Sequence, residues 1–212
     1  MPHAPSSSIL PWLACCVRCL LLVSLALAAA PLQAAPDTTD TTDWDFSRLM
    51  QDFSQAGSAR ARFTERKHMQ ILKEPLITSG LLEFHAPDRL EKRVLKPYEE
   101  LYLVTNDTLV IEQPAKGSTR RFVLQRYPVM WAFVEGLRST LAGNAETLRR
   151  FYAIKLQGSR EHWRLDLDPL DDAMREIITS IRIEGAEARI GTIEILEKNG
   201  DRSVMAITPE SP

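Results

Sequence analysis

The chain has 212 residues, with 26 Lys and Arg against 28 Asp and Glu and a formal net charge of −2. Its cations are spread out and the balance is acidic, which argues against a nucleic-acid surface. All three cysteines, Cys15, Cys16 and Cys19, lie near the N-terminus, so the remainder holds no disulfide, thiol nucleophile or thiolate metal site.

Residues 1–35 read as a signal peptide. Val17–Ala30 is an apolar run of 14 residues interrupted by Arg18, Cys19 and Ser24, and Ala34-Ala35 offers a small-residue cleavage point. The run is short for crossing about 30 Å of hydrocarbon, which argues against a membrane anchor. The cysteines precede or begin the run instead of following it, so lipid attachment is not expected. Residues 36–42, acidic and Thr-rich, are expected to form a flexible lead-in, and 43–209 a single domain. Arg18 is the only charged residue before Pro36, so the following 177 residues carry a net charge near −3. A chain of that size can bury a substantial core. The expected location is the bacterial periplasm.

The first element is a short helix. Phe46, Leu49, Met50 and Phe53 fall at helical spacing, with Thr42 or Asp43 as cap and Gly57 as terminator. From Ala59 to Gln125 the period changes to two. Ala59–Met69, Thr78–His85, Arg89–Leu95, Leu101–Thr105 and Thr108–Glu112 read as strands, and a sixth contains Phe122 and Leu124. Asn106-Asp107 is a hairpin turn. Pro128 breaks the series. Met130, Phe133, Val134, Leu137 and Leu141 then form a helical stripe, with Trp131 off it. Gly143-Asn144 interrupts this helix, and 145–150 forms another turn.

Strand alternation resumes with Tyr152, Ile154 and Leu156, then Trp163, Leu165 and Leu167. A short helical piece follows Asp168-Pro169. Ile177–Ile183, Ile190–Leu196 and Arg202–Thr208 are the last strands, with Asn199-Gly200 as a hairpin signal. The pattern predicts an α+β fold: an unclosed antiparallel half-barrel of about eleven strands with a helical lid.

Little here suggests chemistry. There is no Gly-x-Ser-x-Gly elbow, phosphate loop or His-Glu-x-x-His motif. His68, His85 and His162 lie on or beside strands without spaced partners. Asp166, Asp168, Asp171 and Asp172 form one acidic cluster, but Pro169 and Leu170 occupy positions where a calcium loop needs a ligand and spacer. A proline turn into an acidic helix start explains it better. Arg60, Arg62, Arg66 and His68 share the solvated side of the first strand, opposite Ala61, Phe63, Glu65 and Lys67. We expect no catalytic residue, metal or cofactor.

One region carries a family resemblance. Phe63-Thr64-Glu65 opens it, Ser79-Gly80-Leu81-Leu82-Glu83-Phe84-His85-Ala86-Pro87 follows, and the third strand leads into Lys96-Pro97. This order resembles the opening of the LolA family of periplasmic lipoprotein carriers. The resemblance implies a half-barrel that shelters acyl chains beneath a helical lid. It implies an acylated lipoprotein or lipid cargo, an inner-membrane release or export machine, and an outer-membrane acceptor. The expected ligand-binding residues are Phe63, Leu82, Phe84, Leu90, Val94, Phe122 and Leu124 from the sheet. Met130, Trp131, Phe133, Val134 and Leu137 are expected from the lid. Carriers of this family place an Arg immediately before the proline, where it controls lid closure and release. Here Ala86 stands in that position, expected to line the cavity beside Leu82 and Phe84 without a cation. The resemblance therefore implies a divergent branch. A regulatory or sensor module of the cell envelope with the same half-barrel is the alternative.

Overall fold

The computed structural model describes residues 44–210, so the expected signal peptide and lead-in lie outside the described residues. The first helix, α1 (Phe46–Ala56), begins slightly later than expected. Asp45, not Thr42 or Asp43, is its cap: the carboxylate accepts the Arg48 N–H at 2.8 Å. Gly57, at φ 67°, ends it, and Leu49, Met50 and Phe53 form its buried stripe.

Eleven strands follow in one wholly antiparallel sheet. They are β1 (Ala59–His68), β2 (Leu76–His85), β3 (Arg89–Lys96), β4 (Glu100–Thr105), β5 (Thr108–Gln113) and β6 (Ser118–Val123). Then come β7 (Tyr152–Ser159), β8 (His162–Pro169), β9 (Ile178–Ala186), β10 (Arg189–Glu197) and β11 (Arg202–Pro209). Their spatial order is β6-β5-β4-β3-β2-β1-β11-β10-β9-β8-β7. The edges, β6 and β7, do not pair, so the sheet stays open. Every pair of neighbours in the sheet is also consecutive in sequence, except at the central seam, where β1 meets β11 with Phe63 opposite Ile207.

Three further α-helices lie among the described residues. β6 ends at Val123, short of the expected Gln125. Leu124–Arg126 instead makes a 3-10 turn, whose first N–H donates to the Asp107 carbonyl at 2.7 Å. This turn aims the chain into α2 (Pro128–Leu141), with Pro128 in its first turn. Asn144 caps α3 (Ala145–Phe151) by accepting the Thr147 N–H at 3.0 Å. Asp171 caps the single turn α4 (Asp172–Arg175) through the Met174 N–H at 2.9 Å. The acidic cluster thus divides between a cap and the outer sheet face, where Asp166 pairs with Arg164 and Arg182 at 3.0 and 2.9 Å. Among the described residues no three His, Cys, Asp or Glu side chains group as metal ligands.

Two apolar clusters divide the interior. The larger joins α1, α3, α4 and parts of α2 to the β7–β10 side, with Leu49, Leu148, Leu165, Leu167, Met174 and Ile183 fully buried. The smaller packs Val134, Met130 and Trp131 of α2 against Leu90, Tyr102, Val104, Leu109, Ile111, Phe122 and Leu124. One helix therefore serves both. Its approach to β7 depends on Gly136, since a Cβ there would come within 2.6 Å of the Tyr152 ring. The Tyr152 hydroxyl donates to the Ala132 carbonyl at 3.1 Å, fastening the same contact. Burial without a charged partner pushes the Tyr152 phenol well above its ordinary value.

Candidate functional site

Direct cross-strand partners share a face, so the register shows which side chains line the concave side. Phe84, Leu90, Val104, Leu109 and Phe122 are successive partners from β2 to β6. This apolar row spans roughly 19 Å, four interstrand spacings. Next to it runs a mixed row: Ala61, Leu82, Lys92, Tyr102, Ile111 and Arg120. The third row holds Phe63, Gly80, Val94 and Glu100. The six expected strand residues Phe63, Leu82, Phe84, Leu90, Val94 and Phe122 therefore lie on one face.

Their burial differs. Phe63 and Phe84 are 3% exposed and Val94 is 5% exposed, while Leu82, Leu90 and Phe122 are partly open. Leu124 is fully buried, although it belongs to the turn after β6 and not to the strand. Met130, Trp131 and Val134 face the apolar row, but Phe133 packs into the larger cluster with α1 and α3. Trp131 also meets Phe151 edge-on at 5.0 Å, which ties α2 to α3. Leu137 is partly buried and belongs to neither cluster. Ala86 departs from expectation. β2 ends one residue earlier, and Ala86 sits exposed in the turn at a cis bond to Pro87. Alternation cannot be extrapolated past the last ladder pair, His85 with Arg89.

The concave face also carries charge that the apolar pattern did not assign. Glu65 binds Lys92 at 2.5 Å and accepts from Ser203 Oγ at 2.6 Å and Thr78 Oγ1 at 3.4 Å. Burial would raise its carboxyl, but Lys92 and these hydrogen bonds outweigh that and hold it below the ordinary carboxylate value. Lys92 Nζ lies 5.0 Å from the Phe63 ring centroid. Gly80 separates the two strands that meet here. A Cβ at Gly80 would come within 1.9 Å of the Arg93 carbonyl oxygen, beside the register shift between β2 and β3. Nearby, Tyr102 donates to Glu100 at 2.7 Å, and Gln113 does so at 2.7 Å. Burial, then the bond to Glu100, pushes the Tyr102 phenol up to about 12. Both Glu65 and Lys92 were legible as inward residues, since they alternate with Phe63 and with Leu90 and Val94.

A separate open cleft of about 1020 Å³ lies where β10 and β11 splay apart. Their pairing stops at Thr192 and Ala206, beyond which β11 pairs only with β1. Trp163, Arg164, Gly185, Arg189 and Glu210 are among its lining residues, and none comes from α2 or the apolar row.

The family model described as outer membrane lipoprotein carrier protein LolA-like matches residues 34–208. The chain belongs to this LolA-like family. Several solved structures are similar to the chain at low identity. A LolA superfamily protein from Nitrosomonas europaea is 10% identical, over 76% of this chain and 90% of that one, with a TM-score of 0.43. A DUF1329 family protein from Desulfovibrio piger is 10% identical, over 77% and 89%, at 0.41. MucB in the MucA/MucB complex from Pseudomonas aeruginosa is 13% identical, over 79% and 58%, at 0.41. No curated protein matches the sequence. Among the described residues of this LolA-like protein, no helix is long and apolar enough to cross a membrane.

Proposed function

We propose that this LolA-like protein is a periplasmic carrier that binds the acyl chains of a lipoprotein or lipid and passes them between envelope components. The observation that carries the reading is the apolar row Phe84–Leu90–Val104–Leu109–Phe122, closed by Met130, Trp131 and Val134 of α2. Here a helix lies over a sheet that does not close, so its separation admits a chain without breaking a strand pair. Each methylene moved from water to this row contributes about 0.8 kcal/mol. In the closed form the space is filled by side chains, so loading requires α2 to lift. α2 is bounded by the turn before Pro128 and, past its end at Leu141, by Gly143, which has φ 67°.

An inner-membrane release or export machine would deliver the cargo, and an outer-membrane acceptor would receive it. Ile71, Leu72 and Tyr98, exposed on the β1–β2 and β3–β4 loops at one end of the strands, are apolar residues such a partner would cover.

Native mass spectrometry with lipid extraction, on protein isolated from the periplasm without detergent, tests the reading. A bound acylated species that is lost in Leu82→Glu is the expected result. Leu82 is the better probe because Phe84 is so deeply buried that a charge there would unfold the sheet. A clean unliganded mass that takes up no offered lipid or acyl peptide would overturn it. The second reading, a regulatory or sensor module of the envelope, draws on the cleft between β10 and β11. It expects a stable protein complex that Gly191→Arg, within that cleft, abolishes while lipid uptake is unchanged.

A further inference from the structure

Lys92 stands between Leu82 and Tyr102 across the sheet, with Leu90 and Val94 on the same strand face. A charge in such surroundings costs stability unless something specific uses it. An ammonium has three donors. Among the described residues, the only hydrogen-bond acceptor of Lys92 is Glu65; the Phe63 ring lies 5.0 Å away, and the Glu100 carboxylate is near enough to feel its charge. Glu65 has two further donors, Ser203 and Thr78, and keeps its position if Lys92 turns elsewhere. The Lys92 side chain is 29% exposed, so a solute can reach it. Arg120 adds a second cation on the same row, which contains no acid.

We infer that Lys92 is the head-group site of the trough, receiving the anionic end of an amphiphile whose chain lies along the Phe84–Phe122 row. This rests on the carrier reading and narrows its cargo to acyl compounds with a carboxylate or phosphate near the chain. The head binds through the free N–H groups of Lys92, in charge-assisted bonds that a neutral ester or alcohol forms less strongly. Glu65 holds the ammonium in place before loading.

The test measures affinity of the purified protein for three amphiphiles of equal chain length: a fatty acid, a lysophosphatidic acid and a monoacylglycerol. Wild type is expected to favour an anionic probe over the monoacylglycerol by about tenfold, the effect of one charge-assisted hydrogen bond. The tighter anion tells carboxylate from phosphate. Lys92→Met should erase that preference by weakening the anionic probes far more than the monoacylglycerol, and Lys92→Arg should retain it. Equal wild-type affinity for charged and neutral probes would overturn the inference and leave the carrier reading intact. So would an undiminished preference in Lys92→Met. Failure of all three probes to bind would remove the carrier reading and the inference together. Should Lys92→Met not fold, the wild-type comparison decides by itself.

Discussion

The two halves of the sheet use the same inward alternation to build different interiors. Across β8 and β9, Trp163, Leu165, Leu167, Ile181 and Ile183 are at most 2% exposed and sealed by α1, α3 and α4. Across β1–β4 the inward set includes Glu65, Lys67, Lys92, Tyr102 and Glu100, and among the described residues α2 and Leu124 cover the apolar row beside them. On the carrier reading proposed above, the C-terminal half is the framework and the N-terminal half the working surface.

The sharpest way to break this comparison is by truncation. Leu165→Ala or Ile183→Ala should cost about 2–5 kcal/mol, because both are completely buried. Leu90→Ala, partly open on the other half, should cost about 1 kcal/mol. Urea unfolding with unchanged slopes measures both, and equal losses would end the distinction. Next in size is Gly136→Ala, which forces a methyl onto the Tyr152 ring where α2 meets the framework. It should destabilise by about 1–3 kcal/mol, and a neutral result would mean that α2 is not tightly seated.

Glu65 sharpens the contrast through pH. Its folded-state pKa lies below the ordinary 4.5, so its contribution is complete above 4.5 and is lost as pH falls through the lower folded value. Glu65→Gln should lose about 2 kcal/mol at pH 7. The gap to wild type should close in melts below pH 4.5. A gap that persists in acid would show that the carboxylate charge contributes nothing. Asp45→Ala, which removes the α1 cap on the framework side, should cost about 1 kcal/mol and leave amphiphile binding unaltered.

Much of this architecture was legible because the strands are bounded by strong turn residues and their faces alternate cleanly. Asn106-Asp107 and Asn199-Gly200 both mark real hairpins, with Asn106 at φ 50° and Gly200 at φ 87°. Period two pairs Leu82 with Phe84 and Leu90 with Val94 within their strands, and the register then places both pairs and Phe122 on one face. Three things did not follow. Ala86 and Leu124 lie just past strand ends, where the ladder no longer dictates direction. The stripe on α2 could not reveal that Phe133 faces one cluster while Met130 and Val134 face the other, because a helix between two cores is apolar on both sides. The Glu65–Lys92 pair depends on strands brought together by the fold, and no local spacing announces it.

The seam between β1 and β11 has a consequence for how the molecule is made. All the other strand pairs join segments close in sequence, so each half can form by local hairpins, which close quickly. The seam joins the first strand to the last, and the entropy of closing so long a loop is recovered only when both ladders dock. Until β11 is present, the side of β1 facing away from β2 is an unpaired edge and the two halves of the sheet cannot join, so the last strand made is the one that unites them.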